Sequence, residues 1–391
     1  MKQQLVDAIW WHVYPLGATG APIRDAKDAA HRLPRLEAWL DYLIELGCNG
    51  ILLGPIFESV AHGYDTLDHF RIDARLGDDA DFDHFVAACH ERGIQVMLDG
   101  VFNHVARTHP WVAEGLAGDT DWEGHGELAT LHHDDPRVQD AVTDIMLHWL
   151  RRGIQGWRLD VAYSVPAEFW RTVLGRVREE FPDVCILGEV IHGDYAEIAE
   201  AGTLDSVTQY ELWKALWSSI SDTNFWELDH ALGRHRDIAK RTLPNIFIGN
   251  HDVDRIASKV GQDGEIVALA LLMSLPGMPS IYYGDEQGFE GVRGEGFAAD
   301  DAIRPPLPAS PAELSELGQW VFEEHKKLIG VRRRNQWLTH ADVEVLDKEN
   351  ATISVRSRGE NGEEIQTDAW LEPAPGVRIR AGAEVLYEWG G

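Results

Sequence analysis

The stretch Gly156-Trp157-Arg158-Leu159-Asp160 reads as a short strand that ends on a carboxylate. Alternation puts Arg158 and Asp160 on one face and Trp157 and Leu159 on the other. It lies between two helical patterns, Pro136 to Arg151 and Pro166 to Phe181. Their prolines suit a first helical turn, where a missing N–H leaves nothing unsatisfied. The same unit recurs outward in both directions. Further strands are predicted at Ile9 to Tyr14, Gly50 to Leu53, Gln95 to Leu98, Cys185 to Glu189, Asp205 to Gln209, Asn245 to Gly249 and Ser280 to Tyr283. Between them the spacing predicts helices such as Leu33 to Leu46, Asp81 to Arg92, Phe225 to Lys240 and Glu265 to Ser274. Eight β-then-α units predict an α/β fold, a (β/α)8 TIM barrel. A doubly wound sheet is the alternative, since alternation alone does not close a barrel.

Two segments break the rhythm. Residues 105–135 are rich in Gly, His, Asp and Trp and show no clear period, as expected of a short inserted domain over the barrel. After the helical pattern Leu314 to Arg334, residues 335–391 turn strand-like, with turns such as Glu360-Asn361-Gly362. The expected organisation is a barrel over 1–104 and 136–334, an insertion over 105–135 and a small antiparallel β-domain over 335–391. With 391 residues and 44% hydrophobic content, a large core is expected. The net charge of −30 opposes phosphates and anionic membranes, so neither nucleic acid nor membrane is an expected partner. Cys48, Cys89 and Cys185 lie in apolar or helical patterns without metal-ligand spacing, as buried thiols of a reducing compartment would. The N-terminus has no apolar leader pattern, and the expected location is cytoplasmic.

In a barrel, side chains at the C-terminal ends of strands converge on one site. Asp99, Asp160, Glu189 and Asp252 all stand at such ends, with His104 and His251 near two of them. Arg158, two residues from Asp160, should favour its ionised form and suit it to be a nucleophile. Glu189, desolvated by a bound sugar, would keep its proton and act as general acid. Gly188 before it is expected to let a ligand approach the backbone. Carboxyl groups on adjacent strand ends can lie the ~5–5.5 Å apart that retaining glycosidases need. Asp252 would be a third acid. His104 and His251 would donate to sugar hydroxyls, and Tyr64 would stack on a sugar face. Trp10, Trp11, Trp39 and Trp149 read as core.

These motifs resemble a known family. Asp99-Gly-Val-Phe-Asn-His104, Gly156-Trp-Arg-Leu-Asp160, Gly188-Glu189-Val190 and Asn250-His251-Asp252 are similar, in order and spacing, to the four hallmark segments of the alpha-amylase family, glycoside hydrolase family 13. The resemblance runs from about Ile9 to Arg334. It implies a barrel with an insertion after the third strand and a C-terminal β-sandwich. It implies a retaining α-glycosidase with Asp160 as nucleophile, Glu189 as acid/base and Asp252 stabilising the transition state. It further implies that Arg158, His104, His251 and Tyr64 line the central sugar subsite, and that Asp99 supports it. His62-Gly-Tyr-Asp-Thr66, Leu204-Asp-Ser-Val207 and Ile281-Tyr-Tyr-Gly-Asp-Glu286 look most like the neopullulanase, cyclomaltodextrinase and maltogenic amylase group. Asp300-Asp-Ala-Ile-Arg304 resembles a loop that closes the non-reducing side, which makes Asp300 and Arg304 substrate-binding candidates.

The chain departs from that group in several places. Its N-terminal β-domain is not expected here, because the first strand starts near residue 8. Tyr163 stands where Asn is frequent, Ile191 and His192 follow the acid/base, and Leu131-His132 replaces Leu-Asn. Tyr163 and His192 are therefore expected to shape the leaving-group subsites. Asn103 matches a calcium ligand of many family members. No cofactor is required by the chemistry, and no metal site is assigned. The expected substrates are malto-oligosaccharides or cyclodextrins, through α-1,4 bonds with α-1,6 as the second candidate. A transglycosylase would use the same residues, and a non-catalytic glycan-binding barrel would have lost the carboxylates that this chain keeps.

Overall fold

A computed structural model describes residues 1–24, 27–122 and 124–390. Eight short parallel strands close into a barrel: β1 Trp10–Val13, β2 Gly50–Leu53, β3 Gln95–Gly100, β4 Gly156–Leu159, β5 Cys185–Gly188, β6 Ser206–Thr208, β7 Leu243–Phe247 and β8 Met278–Tyr282. Each strand pairs with its neighbours in chain order, and β1 closes on β8 with Trp10 opposite Ser280 and His12 opposite Tyr282. Seven of the strands are buried along their whole length, and only Gln95 at the start of β3 is partly exposed, as parallel strands packed on both faces require. Trp10, Leu52, Met97, Cys185, Leu187, Leu243 and Met278 fill the inside of the barrel, and Leu5 of the first helix joins them from below. Trp11, Trp39, Trp149 and the remaining apolar side chains form the larger core between strands and helices. All three cysteines are buried, and burial pushes the Cys89 thiol up to about 12.

The helices follow the predicted pattern with local corrections. Pro136 does open the helix Pro136–Arg151, whose N-cap Asp135 accepts from the Arg137 N–H at 2.8 Å. Pro166 sits one residue before the helix Ala167–Glu180. The expected helix Leu33 to Leu46 is two helices, Leu33–Glu37 and Leu40–Leu46. The pattern at Glu265 to Ser274 is the second part of Ile256–Met273, which bends where Gly261 turns left-handed at φ 71°. The helix predicted to begin at Leu314 begins at Gln319.

The aperiodic stretch after β3 holds a three-stranded antiparallel sheet of His104–Ala106, Ala117–Trp122 and His125–Leu131. Its strands are short and lack a clean alternation of apolar and polar residues, so periodicity did not show them. A two-stranded ribbon, Phe57–Ser59 with Thr66–Ile72, was hidden for the same reason.

Beyond the last long helix, Gln319–Arg334, five strands form an antiparallel meander: β9 Asp342–Lys348, β10 Thr352–Arg358, β11 Glu364–Trp370, β12 Gly376–Ala381 and β13 Glu384–Trp389. Alternation is clear in β10, where Ile353, Val355 and Ser357 are buried and Thr352 and Arg358 exposed. The buried face meets the barrel through Ser274, whose carbonyl accepts from Ser357 Oγ at 2.6 Å and whose hydroxyl accepts from Thr367 Oγ1 at 2.8 Å. Tyr387 is buried in this small sheet, and Trp389 stacks on Trp320 of the helix below it. No helix among the described residues is long and apolar enough to cross a membrane.

Candidate active site

The C-terminal ends of the barrel strands open into a cleft of about 1400 Å³. That exceeds the ~300–1,000 Å³ of an ordinary small-ligand pocket, and so suits an extended ligand. Asp160 and Glu189, one residue past β4 and β5, stand on its floor, with Asp252 beside them after β7. Behind them lies Arg158. Its Nη1 donates to Asp160 Oδ1 at 2.7 Å and to Asp99 at 2.8 and 2.9 Å, and its Nη2 lies 2.7 Å from Glu189 Oε1. Glu189 Oε2 accepts from the Val161 N–H at 2.9 Å. Val161 is held left-handed at φ 40°. That conformation is strained for a β-branched residue, and it is the one that aims its N–H at the carboxylate.

Electrostatics correct one expectation. The sequence predicts that Arg158 keeps Asp160 readily ionised. The contact exists, but burial outweighs it. Asp160 is pushed up to about 7 by desolvation, against the pull of Arg158 and with a further push from Asp99. Glu189 rises to about 7 and Asp99 to about 6 for the same leading reason. Three buried carboxylates share one guanidinium, so the cluster retains protons near neutral pH.

The histidines are held, and both are neutral. His104 lines the cleft, but its Nε2 is 3.1 Å from the Tyr64 carbonyl, and burial lowers its pKa to about 4. His251 is fully buried. Its Nδ1 is 3.2 Å from His12 Nε2, its Nε2 is 3.0 Å from Asp252 Oδ2 and also meets the Tyr64 hydroxyl. Burial and Arg304 lower its pKa. Tyr64 lies parallel to the His251 ring at 5.4 Å and donates to Asp99 Oδ2 at 2.9 Å. Arg304 ties the far loop to the site: its Nε donates to the His251 carbonyl at 2.8 Å, and its Nη2 meets Asp252 at 3.0 Å and Asp300 at 3.1 Å. Its guanidinium also lies over the Tyr14 ring, 4.6 Å from the centroid.

A family model for the alpha amylase catalytic domain matches residues 36–124 and 122–316. The chain belongs to the alpha-amylase family. It is 30% identical over 405 residues to a cyclomaltodextrinase of Geobacillus thermopakistaniensis, covering 90% of this chain and 67% of that protein. It is 32% identical over 348 residues to an intracellular maltogenic amylase of Bacillus subtilis, covering 81% and 58%. The chain thus spans about three-fifths to two-thirds of the length of these curated relatives. In fold it resembles a cyclic alpha-maltosyl-(1→6)-maltose hydrolase from Arthrobacter globiformis, with TM-score 0.82, 23% identity, and 94% and 91% of the two chains covered.

In this alpha-amylase-family barrel the cleft lining includes Tyr64, His104, Asp160, Tyr163, Glu189, Asp252, Asp300 and Arg304. Asp99, Arg158 and His251, expected to bind substrate, lie beneath that lining and touch the groups that form it. His192 stands exposed beyond Tyr163, its ring edge-on at 4.8 Å, and is not part of the described lining. Gly188 also differs from expectation. A side chain there would collide with Leu204 and crowd Ala162, so this glycine serves packing behind the site rather than ligand approach.

Sequence reading missed several residues. Tyr210 donates to Glu189 Oε1 at 3.2 Å and accepts from Asn250 Nδ2 at 2.8 Å. It stands just past β6, where the strand-end rule applied to the carboxylates would have found it. His12, a lone polar residue in the apolar strand β1, was a similar signal. At Asn103 the side-chain amide nitrogen is 3.1 Å from His104 Nδ1. Among the described residues, the one convergence of three acidic, histidine or cysteine ligand atoms is His31, Asp78 and Asp81, at the surface.

Proposed function

We propose that the protein is a retaining α-glycosidase that hydrolyses α-glucosidic bonds, α-1,4 and secondarily α-1,6, in malto-oligosaccharides or cyclodextrins. The observation that carries this reading is the pair of carboxyl groups on adjacent strand ends. Asp160 and Glu189 occupy different terminal nitrogens of one guanidinium on the floor of an open cleft. Such sharing suits the ~5–5.5 Å separation of a retaining pair.

Glu189 is the acid. Burial raises it enough to hold a proton near neutrality, and it gives that proton to the glycosidic oxygen as the C–O bond breaks. Asp160 attacks the anomeric carbon with its carboxylate and forms the glycosyl ester. The sugar that fills the cleft brings positive charge as the bond breaks, which favours the ionised form of Asp160 over the raised value of the free cluster. Water then enters. Glu189 takes its proton, the oxygen adds to the anomeric carbon, and Asp160 leaves as carboxylate, so proton and charge return to the starting state. Arg158 holds both carboxylates in place throughout, and Asp252, fixed by His251 and Arg304, lies beside the charge that develops.

Arg304 and Asp300 wall one side of the cleft, which supports short or cyclic oligosaccharides over polymeric starch. Three buried, unpaired cysteines support a cytoplasmic location. Time-resolved proton NMR of maltotriose or cyclodextrin hydrolysis tests the reading. The α-anomer appears first if the double displacement holds, and a β-anomer as first product overturns it.

A further inference from the structure

Strand β1 carries one polar side chain, His12, among Trp10, Trp11 and Val13. Alternation places it on the same face as Trp10, which fills the inside of the barrel, and so one layer nearer the mouth. A lone histidine in an apolar strand is ordinarily held by a backbone carbonyl. This one meets a second imidazole. Its Nε2 lies 3.2 Å from His251 Nδ1, and the two rings stand edge-on at 5.0 Å. Burial above all, with Arg158 and Arg304 nearby, lowers both pKa values and keeps both rings neutral. Two neutral imidazoles that meet nitrogen to nitrogen hold one proton between them, so one ring donates and the other accepts.

The far side of His251 decides which. Its Nε2 lies 3.0 Å from Asp252 Oδ2 and meets the Tyr64 hydroxyl. Tyr64 gives its own proton to Asp99 Oδ2 at 2.9 Å, which leaves its oxygen to accept. A bare Nε2 would therefore turn its lone pair on two oxygens. Nε2 carries the hydrogen, Nδ1 is bare, and the Nε2–H of His12 is the donor that fills it. We propose that His12 is a positioning residue: from β1 it fixes the tautomer of His251, and through it the aim of Asp252 and Tyr64 on the reacting sugar. This inference rests on the glycosidase reading above. Without the His12 donor, His251 is free to take the other tautomer. Tyr64 then turns its O–H away from Asp99, the carboxylate that Arg158 also holds, and Asp252 Oδ2 faces a lone pair.

Nitrogen-15 NMR of histidine-labelled protein reads the tautomer, with each ring assigned by the signal lost in His12→Gln and in His251→Gln. In the wild type the proton of His251 is on Nε2, and a proton on Nδ1 overturns the proposal. Kinetics on maltotriose reads the consequence. His12→Leu fills the space without a donor. Its kcat falls about ten- to a hundredfold, as for one buried hydrogen bond left unmade, while KM stays within about twofold. His251 then shows both tautomers. His12→Gln, whose amide N–H reaches the place of Nε2, recovers most of kcat and the single tautomer. Equal kcat in the Leu and Gln variants overturns the proposal, because the space and not the donor would then matter. If the wild type cleaves no α-glucoside, the glycosidase reading falls alone, and the spectra of the wild type and His12→Leu still decide whether His12 fixes His251.

Discussion

Asp99, Asp160 and Glu189 surround Arg158 at the mouth of the barrel; Asp285 pairs with Arg255 at 2.8 Å behind it, with Glu265 and Glu286 close enough to repel it and each other. Each cluster is buried and holds several carboxyl groups: in the first, three pair with Arg158, and in the second, Asp285 pairs with Arg255. Burial raises Glu286 to about 7, as it does Glu189, and lifts Glu265 well above the ordinary range. A displaced pKa therefore does not tell the two apart, although such shifts often mark functional sites. Access does. The first cluster stands at strand ends, and its Asp160 and Glu189 line the cleft. In the second, Glu265 lies on the helix Ile256–Met273 with both carboxyl oxygens unpaired and His325 Nε2 at 3.6 Å, and no member lines the cleft. Glu286 accepts from Tyr42 at 3.0 Å and Arg255 from behind holds the Tyr283 carbonyl at 2.6 Å. The sealed cluster joins helices to the barrel wall, and the open one faces the cleft.

The largest expected effect separates the clusters by chemistry. Asp160→Asn and Glu189→Gln each keep the fold and lower kcat on the order of 10⁴-fold, as loss of a nucleophile or acid/base does. Glu265→Gln, in the sealed cluster, keeps kcat within about twofold of wild type. Steady-state kinetics on p-nitrophenyl α-glucoside with circular dichroism of each variant checks this. Equal losses in both clusters would erase the distinction.

A smaller effect probes the shared guanidinium. Arg158 opposes the upward push of burial on Asp160. Removing it in Arg158→Ala moves the acidic limb of the kcat/KM profile up by about one pH unit or more, besides lowering the rate. The profile of Glu265→Gln keeps the wild-type limb. An acidic limb that stays in place in Arg158→Ala would mean that the contact positions Asp160 without tuning it.

The smallest effect is on stability. Glu265 is raised by burial, so the folded protein keeps a proton that the unfolded chain releases above about 4.5. The stabilisation is complete below that pH and is lost as pH rises toward the folded value. Wild-type Tm should fall from pH 5 to pH 9 more steeply than that of Glu265→Gln, by about 2–4 °C across the range. Thermal scans in parallel buffers check it. Curves that stay parallel would show that Glu265 is ionised in the fold.

The amino-acid sequence by itself determined the barrel and the carboxylates at its mouth. Both are written in local periods: strands of alternate or wholly apolar residues, helices between them, and an acidic residue at or beyond the end of four of the strands. Asp160, Glu189 and Asp252 were legible for that reason, as were the C-terminal strands. What the tertiary structure alone decided depends on residues far apart in the chain. His12 reaches His251 across 239 positions, and Val161 aims its N–H at Glu189 across 28. In the sheet after β3, His104 pairs with Thr130, and Gly188 is needed because Leu204 packs on it. The protonation of Asp160 belongs to the same class. A nearby arginine can be read from spacing, but desolvation depends on everything that covers the carboxyl group, and that is known only once the chain has closed around it.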